Sequence, residues 1–354
     1  MITFAISKLG FGHLTRQFAL CEAIRSLDDS INFQFIISDN QYSFFKNYFA
    51  ENIILTDTSF FSPCITLSKA DTVDIDSSIY SFQMAIDFDT QIRNDSEWGR
   101  VLENTDLLIN DIEFFHNSIA RKMNIPTVNI SNFTWSDLLK PYANSRLTRD
   151  IMNYERMVDF NIKLPLATAC ESYDDDFEEL GLLARKVDTN KLNKLKRSIN
   201  TTTARILITS ININSSYQIN ELISILTLDY LVMVPEKLFL NLNLAKENDN
   251  LHIIPSEYLE FQNYIQIADL VIGKAGYGVV SECLSSGTPL LYWIVKDIVE
   301  STPLSNGIIQ SQMGEKLKLS MFEVIDQILL LIRGKYHSTE IKNKVIAKRI
   351  LEFL

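Results

Sequence analysis

The feature that most constrains this chain is an alternation, run through twice, of short apolar stretches rich in Ile, Val and Phe with longer segments of helical period. Apolar runs of roughly 4–8 residues are the mark of strands buried on both faces, and strands separated by helices pair in parallel. The first run reads as a strand at 2–7 (ITFAIS), a helix at about 14–27, a strand at 33–37, a helix at about 41–49 and a strand at 53–55. Two more strands, 106–111 (DLLIND) and 126–131 (PTVNIS), flank a helix carrying 114–123, while the stretch before them gives no clear period. An acidic segment, ESYDDDFEELG at 171–181, interrupts the pattern and is the linker candidate. The second run predicts strands at 204–210, 230–234, 251–254, 269–273 and 289–293, with helices near 219–226 and 259–267 and from about 277. Helices at about 321–332 and 338–353 close the chain.

The expected fold class is therefore α/β, with two Rossmann-like doubly wound parallel-sheet domains facing a cleft. The expected division is 1–168 and 169–354, with the last helix packing back on the first domain. A length of 354 residues suits two cores, at about 150 residues per domain. A content of 46% hydrophobic and 22% charged residues, with 11 Gly and 8 Pro, is that of an ordered globular chain.

A formal charge of −11 argues against binding nucleic acid by phosphate neutralisation, and against a general basic field for an anionic membrane. Cys21, Cys64, Cys170 and Cys283 form no CxxC pair, so neither a zinc site nor a disulfide framework is expected. No apolar run approaches the ~20 residues of a membrane helix. Because Met1 leads straight into a strand without a basic n-region, a cytoplasmic location is expected.

The first strand turns into its helix through Gly10-Phe11-Gly12-His13, with Arg16 just beyond. Glycines there leave room for a ligand against free N–H groups at a helix N-terminus, and put His13 on the rim of the cleft. The spacing is not GxGxxG, which disfavours a dinucleotide. The bland alternative is a capping histidine and a surface arginine on an ordinary turn. The second constellation spans 268–293, where a strand ends in Gly273 and a turn carries Lys274, Gly276, Tyr277 and Gly278. The following helix brings Ser281 and Glu282 in its first turn or so. That pattern suits a diphosphate at the helix N-terminus, with Lys274 as counter-charge and Glu282 accepting from sugar hydroxyls. It is not a Walker A loop, and a glycine-tolerant turn with no ligand is the alternative.

The strings GFGHLTR and GKAGYGVVSE, with ISNFTWSDLL between them, resemble the glycosyltransferase-like front domain of L-arabinokinases and, more distantly, GT-B glycosyltransferases such as the enzyme that makes lipid II. The likeness covers nearly the whole chain, without the kinase half. It implies a nucleotide sugar bound by the second half, with Glu282 on the ribose, Gly276 to Gly278 near the diphosphate and His13 facing the reaction centre. Glu300 keeps the place of an acidic residue, whereas SININSS at 210–216 stands where such proteins carry a glycine-rich loop.

Other candidates are Asp111, at the carboxyl end of a strand, as a base or an orienter of His13. His116 and Trp135 are candidate cleft residues. Asp74-Ile75-Asp76 and Asp87-Phe88-Asp89 spell the D-x-D that holds a metal-bound diphosphate in another glycosyltransferase fold, but such pairs are common on solvated faces. The leading expectation is sugar transfer from a nucleoside diphosphate sugar, UDP-linked among the candidates, to a carbohydrate, lipid-linked or small-molecule acceptor, with no obligatory cofactor or metal. A nucleotide-sugar hydrolase and a non-catalytic nucleotide- or sugar-binding protein on the same scaffold are the alternatives.

Overall fold

The computed structural model describes the chain except residues 46–52, 58–61, 68–72, 93–99, 200, 211–215, 243–247, 259, 297 and 319. The first sheet is built from β1 (Ile2–Ile6), β2 (Phe33–Ile37), β3 (Ile53–Asp57), β6 (Leu107–Asp111), β7 (Thr127–Ser131) and β8 (Phe160–Lys163), a two-residue hairpin supplying β4 (Thr66–Leu67) and β5 (Val73–Asp74). Its order is β3-β2-β1-β6-β7-β8, and every pairing within it is parallel. The second sheet repeats the plan with β9 (Arg205–Ile208), β10 (Leu231–Pro235), β11 (Leu251–Ile254), β12 (Leu270–Lys274), β13 (Leu290–Trp293) and β14 (Gly314–Lys316), in the order β11-β10-β9-β12-β13-β14. Both are the doubly wound order whose direction reverses beside the first strand, and ligands bind outside the carboxyl ends of strands at that reversal. The architecture is thus α/β, two Rossmann-like doubly wound parallel sheets in tandem.

The strands are apolar because both faces are covered. β1, β2, β6 and β7 are buried along their whole length, and Phe4 stacks on Phe35 of the neighbouring strand at 4.7 Å. Helix α1 (Gly12–Arg25) is buried on nearly every side, which is why it lacks the polar stripe of a surface helix. It packs against both α11 (Tyr277–Ser286) and the terminal α14 (Asn343–Leu351). One apolar core accordingly runs from Phe4 and Ile109 through Leu14 to Val271, Val280 and Ile346. At the end of the chain Phe353 stacks on Phe160 of β8 at 4.9 Å, and Arg349 pairs with Glu178.

Several elements depart from the sequence reading. Between the expected α2 (Asp39–Phe45) and α4 (Phe115–Lys122), helix α3 (Ile75–Ile92) and the hairpin occupy the stretch without clear period, and α5 (Trp135–Leu139), α6 (Ser145–Glu155) and β8 follow the strand at 127–131. The acidic stretch at 171–181 is not a loose tether, for Glu178 runs beside β8, with its N–H on the Asn161 carbonyl and its carbonyl accepting from Lys163. In the second half α7 (Thr189–Ser198), α9 (Glu236–Leu242) and α12 (Ser301–Gln310) add to the expected α8 (Ser216–Leu226), α10 (Phe261–Ile267) and α13 (Met321–Arg333). Most of the SININSS segment lies outside the described residues.

Candidate functional site

A cavity of about 470 Å³ lies between the carboxyl ends of the two sheets, within the range of small-molecule sites. The N-termini of α1 and α11 both open into it. Neither has a side-chain cap and neither has an acidic residue in its first turn, so the orphan N–H groups and the positive ends of both dipoles are left for something else. The two turns touch, the Cα of Gly12 lying 3.5 Å from where a Cβ of Gly278 would stand.

Two glycines here are required by geometry. Gly10 has φ +68°, the left-handed region that makes the turn from β1 into α1. Gly273 sits so close to the end of β9 that a Cβ would meet Thr209 Oγ1 at 1.9 Å. Gly276 is different, because a Cβ there would meet no protein atom within 4 Å. Packing does not explain that glycine, and the open space it leaves belongs to the cavity.

His13, Arg16 and Asp111 form one buried cluster on the first half. Asp111, at the end of β6, is fully buried and accepts at 2.7 Å from Arg16 Nε and at 2.7 Å from Gln17 Nε2, with Arg16 Nη2 on its other oxygen. Burial by itself would raise its pKa, but the charges and hydrogen bonds of Arg16 and His13 override that and hold it at about 2. The residue after it, Ile112, has φ +54°, a rare conformation for a β-branched side chain that turns the backbone away at this point. His13 Nδ1 lies 2.9 Å from Asp111 Oδ1 and 2.9 Å from Arg16 Nη2. A protonated Nδ1 donates to the carboxylate, whereas a bare one accepts from the guanidinium. Nε2 has no hydrogen-bond partner among the described residues. The ring is held edge-on against Phe133 at 5.5 Å.

On the second half, Glu282 reaches the cavity wall with both carboxylate oxygens bound by Arg185, at 2.6 Å from Nε and 3.1 Å from Nη2. A carboxylate offers about four acceptor positions, so this pairing orients Glu282 and leaves two. Lys274 lines the cavity and makes no ion pair among the described residues. Pro235, Tyr258 and Phe261 supply an apolar wall on the same side.

The structure therefore brings Gly10, Gly12, His13, Arg16, Lys274, Gly276, Tyr277, Gly278, Glu282 and Glu300 to one cavity. Asp111 stands behind His13 and does not line the cavity. Arg16 lines it, yet its N–H groups go to Asp111, Asn132 and Ser131, and its guanidinium lies over the Tyr277 ring. Ser281 turns inward, its hydroxyl donating to the Gly278 carbonyl one helical turn back. Trp135 is buried among Phe82 and Phe133, away from the cavity. His116 faces a separate small void beside Glu113, where burial drives His116 down to about 4 and Glu113 up to about 7. Asp74 accepts from Ser77 at the start of α3, and Asp87 accepts from Gln83 on that helix. The side chain of Asp89 is outside the described residues, and no group of three His, Cys, Asp or Glu is placed to hold a metal among those described. Arg185, Asn132 and Gln17 were not legible as site residues, for their partners Glu282, Arg16 and Asp111 lie 97, 116 and 94 residues away.

No protein-family model and no curated sequence matches the chain. Solved structures do. The glycosyltransferase of kitacinnamycin superposes with a TM-score of 0.64 at 11% identity, over 99% of this chain and 93% of that one. The spinosyn rhamnosyltransferase SpnG gives 0.61 at 12%, over 100% and 95%. UGT2 of Phytolacca americana, solved with UDP-2-fluoroglucose and pterostilbene, gives 0.58 at 12%, over 99% and 93%. The likeness to the arabinokinase front domain rests on the residue strings alone. What the superpositions establish for this chain is the GT-B fold of glycosyltransferases, over nearly its full length.

Proposed function

We propose that the cavity is the donor and reaction site of a glycosyltransferase that moves a sugar from a nucleoside diphosphate sugar, a UDP sugar first among them, to an acceptor hydroxyl. The observation that carries this reading is the pair of uncapped, acid-free helix N-termini meeting across one cavity beside Lys274 and His13. In this reading the diphosphate lies over Gly276 to Gly278, its charge met by N–H groups and Lys274 with no obligatory metal. The nucleobase rests against Pro235, Tyr258 and Phe261, and Glu282, oriented by Arg185, accepts from the ribose hydroxyls. Glu300 stands by for the sugar. The domain division that goes with it is 1–168 for the acceptor and base and 169–354 for the donor.

His13 is the base. Arg16 and His13 keep Asp111 ionised at neutral pH, and in the neutral tautomer whose Nδ1–H donates to that carboxylate the Nε2 lone pair is free to take a proton. Nε2 takes the proton of the acceptor hydroxyl as that oxygen bonds the anomeric carbon and the bond from that carbon to the diphosphate breaks. Asp111 touches no substrate and serves as the orienter of His13.

The test is His13→Ala against the parent. Release of nucleoside diphosphate from a panel of nucleotide sugars, with and without sugar acceptors, is expected to fall by about 10² or more, while UDP affinity measured by calorimetry stays within about twofold of the parent. Unchanged release, or a parent that releases no nucleoside diphosphate from any donor while binding it tightly, refutes the transferase reading. The second result leaves a binding protein.

A further inference from the structure

The NFTW string opens with Asn132, which directly follows β7 and is fully buried. Its two amide atoms face opposite partners. Oδ1 accepts from Arg16 Nη1 at 2.6 Å, and Nδ2 donates to Glu300 Oε1 at 2.9 Å across the cleft. The amide can stand only one way round, since a flip would set its N–H groups against a guanidinium and its oxygen against a carboxylate. Arg16 in turn holds both oxygens of Asp111, which holds His13. A continuous polar chain therefore runs from the first half of the cleft to Glu300 at the start of α12 in the second.

We infer that Asn132 is a positioning residue that registers the second half of the cleft against His13. Its oxygen belongs to the cluster that aims the imidazole, and its nitrogen belongs to the residue nearest the sugar in the reading above, on which this inference rests. Asparagine is the side chain that meets both demands. Aspartate would set a second acceptor against Glu300, and leucine would leave a buried guanidinium N–H and a carboxylate oxygen unpaired.

The test is a cycle of N132D, E300Q and the double variant, in which Gln at 300 offers its own N–H to Asp at 132. Urea unfolding of the unliganded chain is expected to show N132D unfolding at lower denaturant than the parent and the double variant recovering, the non-additivity expected of two residues in contact. The ring ¹⁵N resonances of His13 should move in N132D and return in the double, a signature that loss of packing alone would not restore. Additive unfolding effects, or a His13 spectrum that N132D leaves unmoved, overturn the inference. A parent that binds no nucleoside diphosphate of a panel in calorimetric titration overturns the donor reading instead, and the unfolding cycle and the His13 spectrum still decide the role of Asn132.

Discussion

Asp111→Asn is the substitution whose cost the structure defines most closely. The side chain is fully buried, and so, at 2% exposure, is the Arg16 guanidinium it neutralises. Asparagine keeps the shape but removes the charge, and its NH₂ must replace an oxygen now accepting either from Arg16 Nε and Gln17 or from His13 and Arg16 Nη2. A buried cation then loses its counter-ion while donor meets donor. Breaking a buried pair from one side costs about 3–5 kcal/mol. At ~2–4 °C per kcal/mol for a unit of 150–250 residues, the lower figure lowers Tm by about 6–12 °C. Scanning calorimetry at neutral pH measures it. Removing both charges together, as Arg16→Met with Asp111→Leu, should melt at or above the single variant, because replacing a buried pair by apolar groups is often near neutral. An Asp111→Asn protein melting within about 2 °C of the parent would refute the argument that this pair is desolvated and mutually dependent.

Glu155 gives a pH prediction of the opposite sign to an ordinary salt-bridged acid. Burial pushes it up to about 7 from 4.5, against the hydrogen bonds from Ser136. The folded chain then binds more protons than the unfolded one between those values, so this group's contribution to stability is full below pH 4.5 and is lost as pH rises to 7. Glu155→Gln should therefore gain on the parent between pH 5 and 8, by up to about 3 kcal/mol in urea unfolding; a difference independent of pH would refute it. Lys274→Ala is expected to weaken UDP by about tenfold or more and to leave uridine unchanged, since its ammonium is assigned to the diphosphate. Equal losses for both ligands in calorimetric titration would move Lys274 away from that role.

The sequence was legible where one physical rule acts without competition. Central parallel strands are covered on both faces, so ITFAI, LLIND and LVIG announced themselves as apolar runs. A carboxylate at the end of such a strand points to the cleft side of the sheet, which made Asp111 visible beside His13. Helix α1 was readable as a helix but not as the wedge between the two halves, because burial on all sides erases the periodicity that would have shown its packing. Helix α3 and its hairpin stayed illegible, since the two-residue strands are too short to show alternation. Arg185 could not be found from one sequence, as its partner Glu282 lies 97 residues on and nothing in GLLARKV marks an arginine for burial. Ser281 shows that position on a helix gives the neighbourhood, not which way a short hydroxyl turns.

The central claim is that the N-terminus of α11 holds a nucleoside diphosphate, and Gly276→Val tests it most directly. Gly276 has φ −108° and ψ 153°, a conformation valine adopts, and its absent Cβ would touch no protein atom within 4 Å. The parent and variant should melt within about 3 °C of each other without ligand. A nucleoside diphosphate or its sugar at 100 times its dissociation constant adds about 2.7 kcal/mol to the parent, roughly 5–11 °C. Thermal melting of both proteins against a panel of nucleotides and nucleotide sugars is the measurement. The account predicts that at least one nucleoside diphosphate raises the parent and leaves the valine variant where it was. A panel that moves neither protein, or moves both alike, contradicts it.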